Sequence, residues 1–237
     1  RLTGEHDLLI TLAVIDPLDA DIHDQTIATM LATHAAATDT DLIVMTTHGR
    51  GGLARFWLGS VADVLVRASR VPVLLLRPDE GMSDPARSCT FQRILIPLDG
   101  SPRSEAIVEP ALALGQLMYS EYTLLRVVAP FVVGAPAPFT TPTDFDPDRT
   151  MRLQSKAQDY LDDVAGRLLS TGVQVRTRVL VAEHVAAAIL EHARQHSIDL
   201  VAISTAGRSG LARLLIGSVA DKVLRGAEVP VLVYRPE

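Results

Sequence analysis

The sequence contains one segment twice, and this repeat restricts the possible folds more than any other feature. Residues 49–66 and 207–224, which lie 158 positions apart, are identical at 11 of 18 aligned positions. The similarity continues to a Val-Pro-Val-Leu run that begins at Val71 in one copy and at Val229 in the other. Similarity at one fixed offset is typical of a duplicated structural unit. The chain therefore contains two copies of one unit.

The segment between the copies is polar and contains Gly81 and Pro85, which is the composition of a linker. We therefore expect a partial first domain over residues 1–80, a linker over 81–90 and a complete second domain over 91–237.

The second copy alternates predicted strands and helices. Short runs of branched aliphatic residues predict buried strands, and an alternating run predicts a half-exposed or edge strand at residues 173–180. The other predicted strands are residues 93–98, 122–128, 200–204 and 230–234. The predicted helices are residues 102–119 with a kink at Pro110, then 148–170, 185–196 and 218–226. A loop rich in proline and threonine is expected over residues 130–147. This order implies right-handed crossovers and a doubly wound parallel sheet.

The first copy is shorter than the second. Residues 28–78 contain counterparts of the last helix, strand, helix and strand of the repeat, and only one further strand, residues 8–15, precedes them. That strand aligns equally well with the second or the third strand of the second copy. In neither alignment does the first copy have a counterpart of residues 94–101.

The last strand of each copy, residues 71–76 and 229–234, is apolar and would leave an unprotected sheet edge if it stood alone. We therefore expect these two strands to pair with each other.

Each copy also has a glycine loop after a strand and a Gly-Ser pair that opens a helix. In the second copy Gly207 allows a sharp turn and Gly217 allows close approach. Ser218 is expected at the N-cap, where its hydroxyl and the free N–H groups of the helix can bind phosphate. Arg208 adds positive charge to the loop. A Gly-Ser pair is also a common helix cap, but its recurrence in both copies favours an anion site.

The first strand of the second copy ends at Asp99. Ligands of open parallel sheets bind at the carboxyl ends of the strands, so Asp99 is expected to face the same crevice as the glycine loop. Its carboxylate would accept hydrogen bonds from ribose hydroxyls.

These motifs resemble the signature of the universal stress protein family, which is Gly-x-x-Gly, nine residues, Gly, then Ser or Thr. The resemblance rests on the spacing of Gly49 to Gly59-Ser60 and of Gly207 to Gly217-Ser218, on residues 96–101, and on the two Val-Pro-Val-Leu strands. It implies a tandem member of the family whose first domain is incomplete on its N-terminal side. The implied fold is two α/β domains of the adenine nucleotide α-hydrolase type.

The resemblance also implies that the chain binds ATP or another adenine nucleotide, with or without Mg²⁺. Asp99 would meet the ribose, Val127 the adenine, and the glycine loop the triphosphate. The complete candidate cofactor-binding set is Pro97, Leu98, Asp99, Val127, Ser204, Gly207, Arg208, Gly217, Ser218 and Val219, with Gly49, Arg50, Gly59 and Ser60 in the first copy. One departure is that Ser204 and Thr46 replace the first glycine of the signature.

Motifs that would indicate an enzyme are absent from the sequence. It has no P-loop lysine motif, no G-x-G-x-x-G after a strand and no serine nucleophile elbow. His192 and His196 have a spacing compatible with metal binding, but without a glutamate partner a solvated helix face is the favoured interpretation and no metal is expected. We expect nucleotide binding without rapid turnover in a stress-response or regulatory protein. A slow ATPase and an interaction module without a ligand are the alternatives.

The composition limits partners and location. A net charge of −6 argues against a nucleic-acid partner, and a single cysteine, Cys89, excludes an internal disulfide. No apolar run reaches the roughly 18 residues of a membrane span and no secretory signal opens the chain, so a cytoplasmic protein that does not act at a membrane is expected. A homodimer is a further expectation.

Overall fold

The computed structural model describes residues 24–46, 58–76, 90–133, 144–205 and 216–236. In chain order the first copy contributes α1 (Asp24–Ala37), β1 (Ile43–Thr46), α2 (Ser60–Ala68) and β2 (Val73–Leu76). The second contributes β3 (Arg93–Pro97), α3 (Pro102–Glu105), α4 (Val108–Gln116), β4 (Glu121–Val128), β5 (Val132–Val133), β6 (Asp144–Phe145), α5 (Pro147–Leu169), β7 (Gln174–Val181), α6 (Val185–Gln195), β8 (Leu200–Ser204), α7 (Ser218–Gly226) and β9 (Val231–Tyr234).

The main strands form one seven-stranded sheet in the order β1-β2-β9-β8-β3-β4-β7. Neighbouring strands are parallel except for β2 and β9, which are antiparallel. Strand β3, the first of the second copy, lies at the centre of that copy, because β4 pairs with one of its edges and β8 with the other. The expected α/β fold with a mostly parallel sheet is confirmed. The topological switch point of the second copy lies between β3 and β8.

The final strands of the two copies pair as the sequence predicts. In the antiparallel register Leu74 lies opposite Leu232, and both side chains are buried. Each would otherwise be an apolar sheet edge. The pairing therefore joins both copies into one continuous sheet.

Helices cover both faces of this sheet. On one face α1, α2, α6 and α7 pack on residues such as Leu75, Leu95 and Val201. On the other face α4 and α5 pack on residues such as Ile96 and Leu124. The strands that are covered on both faces consist almost entirely of branched aliphatic residues, as is typical of buried parallel sheets.

The expected single helix over residues 102–119 is wrong in detail. It is divided into α3 and α4 by a turn at Ala106 and Ile107. The ring of Pro110 would clash with the carbonyl of Ala106 in a continuous helix, because that carbonyl lies four residues earlier. The break places Pro110 in the first turn of α4, where a missing N–H is tolerated.

The expected loop over residues 130–147 also contains a short antiparallel ribbon, since β5 pairs with β6.

The edge position predicted for residues 173–180 is confirmed, because β7 pairs only with β4 among the described strands. The predicted strand at residues 8–15 lies outside the described residues. Within the described part of the chain, β1 forms the other edge of the sheet.

Candidate functional site

A cleft of about 560 Å³ opens at the carboxyl ends of β3, β4 and β8, at the switch point of the second copy. Its walls come from these strand ends, from the start of α7, from α6 and from one residue each of α3 and α5. The lining residues are Pro97, Leu98, Asp99, Ser104, Leu125, Arg126, Val127, Val128, Ala129, Pro130, Phe131, Leu153, Val185, Ile189, Ile203, Ser204, Thr205, Gly217, Ser218, Val219 and Ala220.

The turn after β3 fixes the carboxylate of Asp99. Its Oδ1 accepts a hydrogen bond of 2.8 Å from the backbone N–H of Ser101, and its own N–H donates to Oγ of Ser104. Gly100, between these residues, has a φ of +83°, in the left-handed region that favours glycine. Ser101 caps α3 by accepting from the N–H of Ser104. The turn therefore holds an acidic group at the mouth of the cleft.

The start of α7 supplies donors to the same cleft. The structure corrects the expectation that Ser218 is the N-cap: Gly217 is the N-cap and has no side chain to cap the helix, and Ser218 is the first helical residue. The first N–H groups of an α-helix have no partner within the helix. The N–H of Gly217 itself donates to the carbonyl of Thr205 at 2.9 Å, which ties the helix start to the end of β8. The donors offered to a ligand are thus those of Ser218, Val219 and Ala220.

An apolar wall faces these polar groups. Val127 of β4 and Val185 of α6 are partly buried, and Ile189, also of α6, is almost fully buried. Leu153 approaches from α5 on the other side. Such a mixture of an aliphatic wall and a few converging polar groups is typical of small-molecule sites.

A network that the sequence analysis missed supports the cleft from α5. Arg126 lines the cleft, and its guanidinium lies over the ring of Tyr160 at 5.0 Å from the ring centroid. The hydroxyl of Tyr160 donates to Oε1 of Glu105 at 2.9 Å, and Arg167 pairs with the same carboxylate at 2.6 Å. Burial raises the pKa of the Tyr160 hydroxyl, and the hydrogen bond to Glu105 raises it further. The only indication of this network in the sequence was Arg126, a charged residue within the apolar run of β4.

The structure brings together eight of the predicted site residues of the second copy. These are Pro97, Leu98, Asp99, Val127, Ser204, Gly217, Ser218 and Val219. Ser204, which replaces a signature glycine, is a buried strand residue opposite Tyr234. Gly207, Arg208, Gly49 and Arg50 lie outside the described residues.

The other two predicted residues, Gly59 and Ser60, open α2 in the first copy and do not line the cleft. Gly59 is the N-cap and has a φ of −63° and a ψ of 156°, and Gly217 has nearly the same values of −58° and 145°. Ser60 is the first helical residue, as Ser218 is in the second copy. The helix starts of the two copies are therefore equivalent.

The histidine pair on α6 does not form a solvated face, so that expectation is wrong for one of its members. His192 is 5% exposed, and its ring stacks on that of His196 with 3.9 Å between the centroids. Burial lowers the pKa of His192, and His196 and Arg178 lower it further.

Within the described ranges, no group of three or more histidine, cysteine, aspartate or glutamate residues could hold a metal ion. No helix in those ranges is long and apolar enough to cross a membrane.

The family model described as the universal stress protein family matches residues 11–77 and 90–235. A universal stress protein of Mycobacterium tuberculosis is 32% identical over 209 residues, which cover 84% of this chain and 63% of that protein. Another, from Methanocaldococcus jannaschii, is 33% identical over 148 residues, which cover 61% of this chain and 82% of that protein. The chain thus spans under two thirds of the length of the mycobacterial relative.

Solved structures show the same fold. A universal stress protein from Archaeoglobus fulgidus superimposes with a TM-score of 0.60 at 20% identity, covering 88% of this chain and 66% of that one. A functionally unknown protein from Pseudomonas aeruginosa gives a TM-score of 0.59 at 20% identity, covering 92% of this chain and 69% of that one. Two matched segments and these long superpositions agree with a tandem arrangement.

Proposed function

The chain belongs to the universal stress protein family, and we propose that its second copy binds ATP or another adenine nucleotide in the cleft at the ends of β3, β4 and β8. The observation that carries the proposal is that three unlike groups converge there. These are the fixed carboxylate of Asp99, an aliphatic wall that includes Val127, and the start of α7, whose N-cap Gly217 has no side chain to cap the helix. The cleft volume of about 560 Å³ is in the range of small-molecule pockets.

Each group suits one part of a nucleotide. Asp99 is held by the Ser101 N–H on one oxygen and can accept a hydrogen bond from a ribose hydroxyl. Val127 and the α6 side chains offer an apolar surface to the base. The N–H groups of Ser218 and Val219 and the positive end of the α7 dipole favour phosphate.

The family resemblance adds Gly207 and Arg208 to the phosphate side of this proposal. Mg²⁺, when bound with the nucleotide, would neutralise phosphate charge, and Asp99 is the acidic residue among the described residues of the cleft lining. We assign the protein to nucleotide-dependent stress response or regulation, in which the nucleotide is held rather than rapidly turned over.

The test is to denature the purified protein, analyse the nucleotide that it releases, and titrate the nucleotide-free protein with ATP by calorimetry. Release of ATP supports binding without rapid turnover, whereas release of ADP or AMP alone indicates hydrolysis. Neither release nor binding would contradict the proposal and favour an interaction module.

The chain offers a matched pair of variants for the same test. Gly217→Val should abolish ATP binding, because a branched side chain at the N-cap blocks the approach of phosphate to the start of α7. Gly59→Val makes the same change at the equivalent N-cap of the first copy and should leave the affinity unchanged. Unchanged affinity in Gly217→Val would refute the placement of the site.

A further inference from the structure

Phe131 forms part of the cleft wall three residues beyond the end of β4. It lines the same cleft as Asp99, Val127 and the start of α7, and it is half-buried. Among the described residues it is the one aromatic side chain in this lining, which otherwise consists of aliphatic and polar residues. The family signature does not include this position, and the sequence analysis treated it as part of a loop.

The backbone of Phe131 is anchored at both of its polar groups. Its N–H donates to Oγ1 of Thr150 at 2.9 Å, and its carbonyl accepts from the N–H of Asp146 at 3.0 Å. Oγ1 of Thr150 in turn donates to the carbonyl of Asp146, and Thr150 is 5% exposed. These bonds attach the chain after β4 to the first turn of α5. Phe131 is therefore part of a fixed wall.

The ring itself is also held. The guanidinium of Arg149 lies over it at 3.7 Å from the ring centroid, which is a close cation–π contact. Arg149 is exposed, so it covers a ring face that would otherwise meet water. Phe131 also lines the cleft. A ring oriented in this way loses little rotational freedom when a flat ligand packs against it.

We infer that Phe131 is the stacking residue for the base of the bound nucleotide. This inference rests on the proposed function and extends it to a position outside the family signature. The base then lies between the Phe131 ring and the aliphatic side chains of Val127 and Ile189, on the side of the cleft away from the α7 start. Stacking on an aromatic side chain is tolerant of base identity, because every base has a π-face. Phe131 thus adds affinity for an aromatic base but does not select adenine over guanine.

The experiment compares three probes by calorimetry on the full chain: ATP, adenosine and inorganic tripolyphosphate. Phe131→Ala should weaken ATP and adenosine binding about tenfold, the loss expected for one base–aromatic stack, and leave tripolyphosphate binding unchanged. Phe131→Tyr keeps the ring and should bind ATP within about threefold of wild type. Leu153→Ala, also in the lining but aliphatic, is the matched control and should change ATP binding less than Phe131→Ala.

A reporter variant keeps the inference testable if Phe131→Ala disturbs the chain between β4 and α5. Phe131→Trp, made in a Trp57→Phe background, retains an aromatic ring and leaves position 131 as the single tryptophan of the chain. Saturating ATP should quench its fluorescence, while tripolyphosphate should not. Three results would overturn the inference: unchanged ATP affinity in Phe131→Ala, an equal loss for tripolyphosphate, or no ATP-specific quenching in Phe131→Trp. If wild type binds none of the probes, the proposed function fails too, whereas these three results leave it intact.

Discussion

The guanidinium of Arg126 lies directly against Gly100, in the space that a β-carbon at position 100 would need. A methyl group there would come within 2.5 Å of Nη1 of Arg126. Because Arg126 also rests on the ring of Tyr160, it connects the turn that carries Asp99 with helix α5. The positive φ therefore favours glycine at position 100, and the approach of the Arg126 guanidinium adds to the cost of a side chain there.

Gly100→Ala should lower the free energy of unfolding by more than the left-handed φ alone would cost, which is about 1–2 kcal/mol. The additional loss comes from displacement of the Arg126 side chain. Urea denaturation measures the change. In an Arg126→Ala background the steric part disappears, and the cost of Gly100→Ala should fall to the φ penalty. Equal costs in both backgrounds would show that Arg126 does not limit position 100.

Gly115→Ala should destabilise the protein by about 1–3 kcal/mol, as overpacking typically does. A β-carbon at Gly115 would collide with the hydroxyl of Tyr122, which is fully buried and donates to the carbonyl of Leu112 at 3.2 Å. Burial raises the pKa of Tyr122 to about 12, so the group is a neutral hydroxyl at physiological pH. Thermal and urea unfolding give the measurement.

Gly166→Ala in α5 is the control for this substitution, since nothing lies within 4 Å of a β-carbon there. It should stabilise the protein by about 0.5–1 kcal/mol, the usual gain of alanine over glycine in a helix. In a Tyr122→Phe background the penalty of Gly115→Ala should shrink. Stabilisation by both glycine replacements would contradict the packing seen between α4 and β4.

Acid should destabilise the wild-type protein more than a His192→Gln variant. The pKa of His192 is lowered from its ordinary 6.5 chiefly by burial, so the folded state favours the neutral ring. Below about pH 6.5 the unfolded chain binds more protons than the folded chain, and the free energy of unfolding falls as the pH decreases. Urea midpoints between pH 7.5 and 5.5 should therefore converge for the two proteins. Parallel pH profiles for wild type and His192→Gln would contradict this assignment.

Calorimetric titration should count one nucleotide per chain. The described residues of the first copy include the helix start at Gly59 and Ser60, but no strand and aspartate equivalent to β3 and Asp99. Phosphate contacts alone give weak binding that salt screens. Two sites of equal affinity would show that the first copy forms a nucleotide site with other residues.

Leu74→Asp should destabilise its own strand β2 and also β9 of the second copy, because the two strands pair through backbone hydrogen bonds. Leu74 is 5% exposed, and an unpaired carboxylate there should cost more than about 3 kcal/mol. Hydrogen exchange of the amides of residues 231–233 reports the effect in the other copy. Val44→Asp in β1 is the control, because Val44 is 53% exposed and the change should cost under about 0.5 kcal/mol. Unchanged protection of β9 in Leu74→Asp would indicate that the copies unfold independently.

The repeat made much of this architecture predictable. Strand ends that carry Asp99 and Ser204 follow from the order of apolar runs, and parallel strands bring such ends to one edge of the sheet. Pairing of β2 with β9 followed from two apolar strands that would otherwise be exposed edges. The resemblance to the universal stress protein family implied the same pairing.

The supporting contacts were not predictable in the same way. Arg126 meets Tyr160, which is 34 positions away, and Tyr160 meets Glu105, which is 55 positions away. Such contacts depend on how α3 and α5 pack, which no local pattern encodes. The position of the helix break was missed because the clash of Pro110 falls on the residue four positions earlier. The N-cap was placed one residue late because Gly217 caps α7 without a side chain.

The antiparallel joint between β2 and β9 has a consequence for how the two copies could communicate. Since β1 and β2 run opposite to β8 and β9, the carboxyl ends of the strands in the two copies lie on opposite rims of the sheet. The start of α2 and the start of α7 therefore lie at opposite ends of the strands. The strand length that separates them is roughly 15 Å for strands of four to five residues. A single ligand cannot bridge these two helix starts, and a protein bound at one end of the strands contacts only one of them. Cooperativity between the copies can pass through the pairing of β2 with β9 and through the contact of α2 with α7, where Arg225 pairs with Asp63 at 3.7 Å.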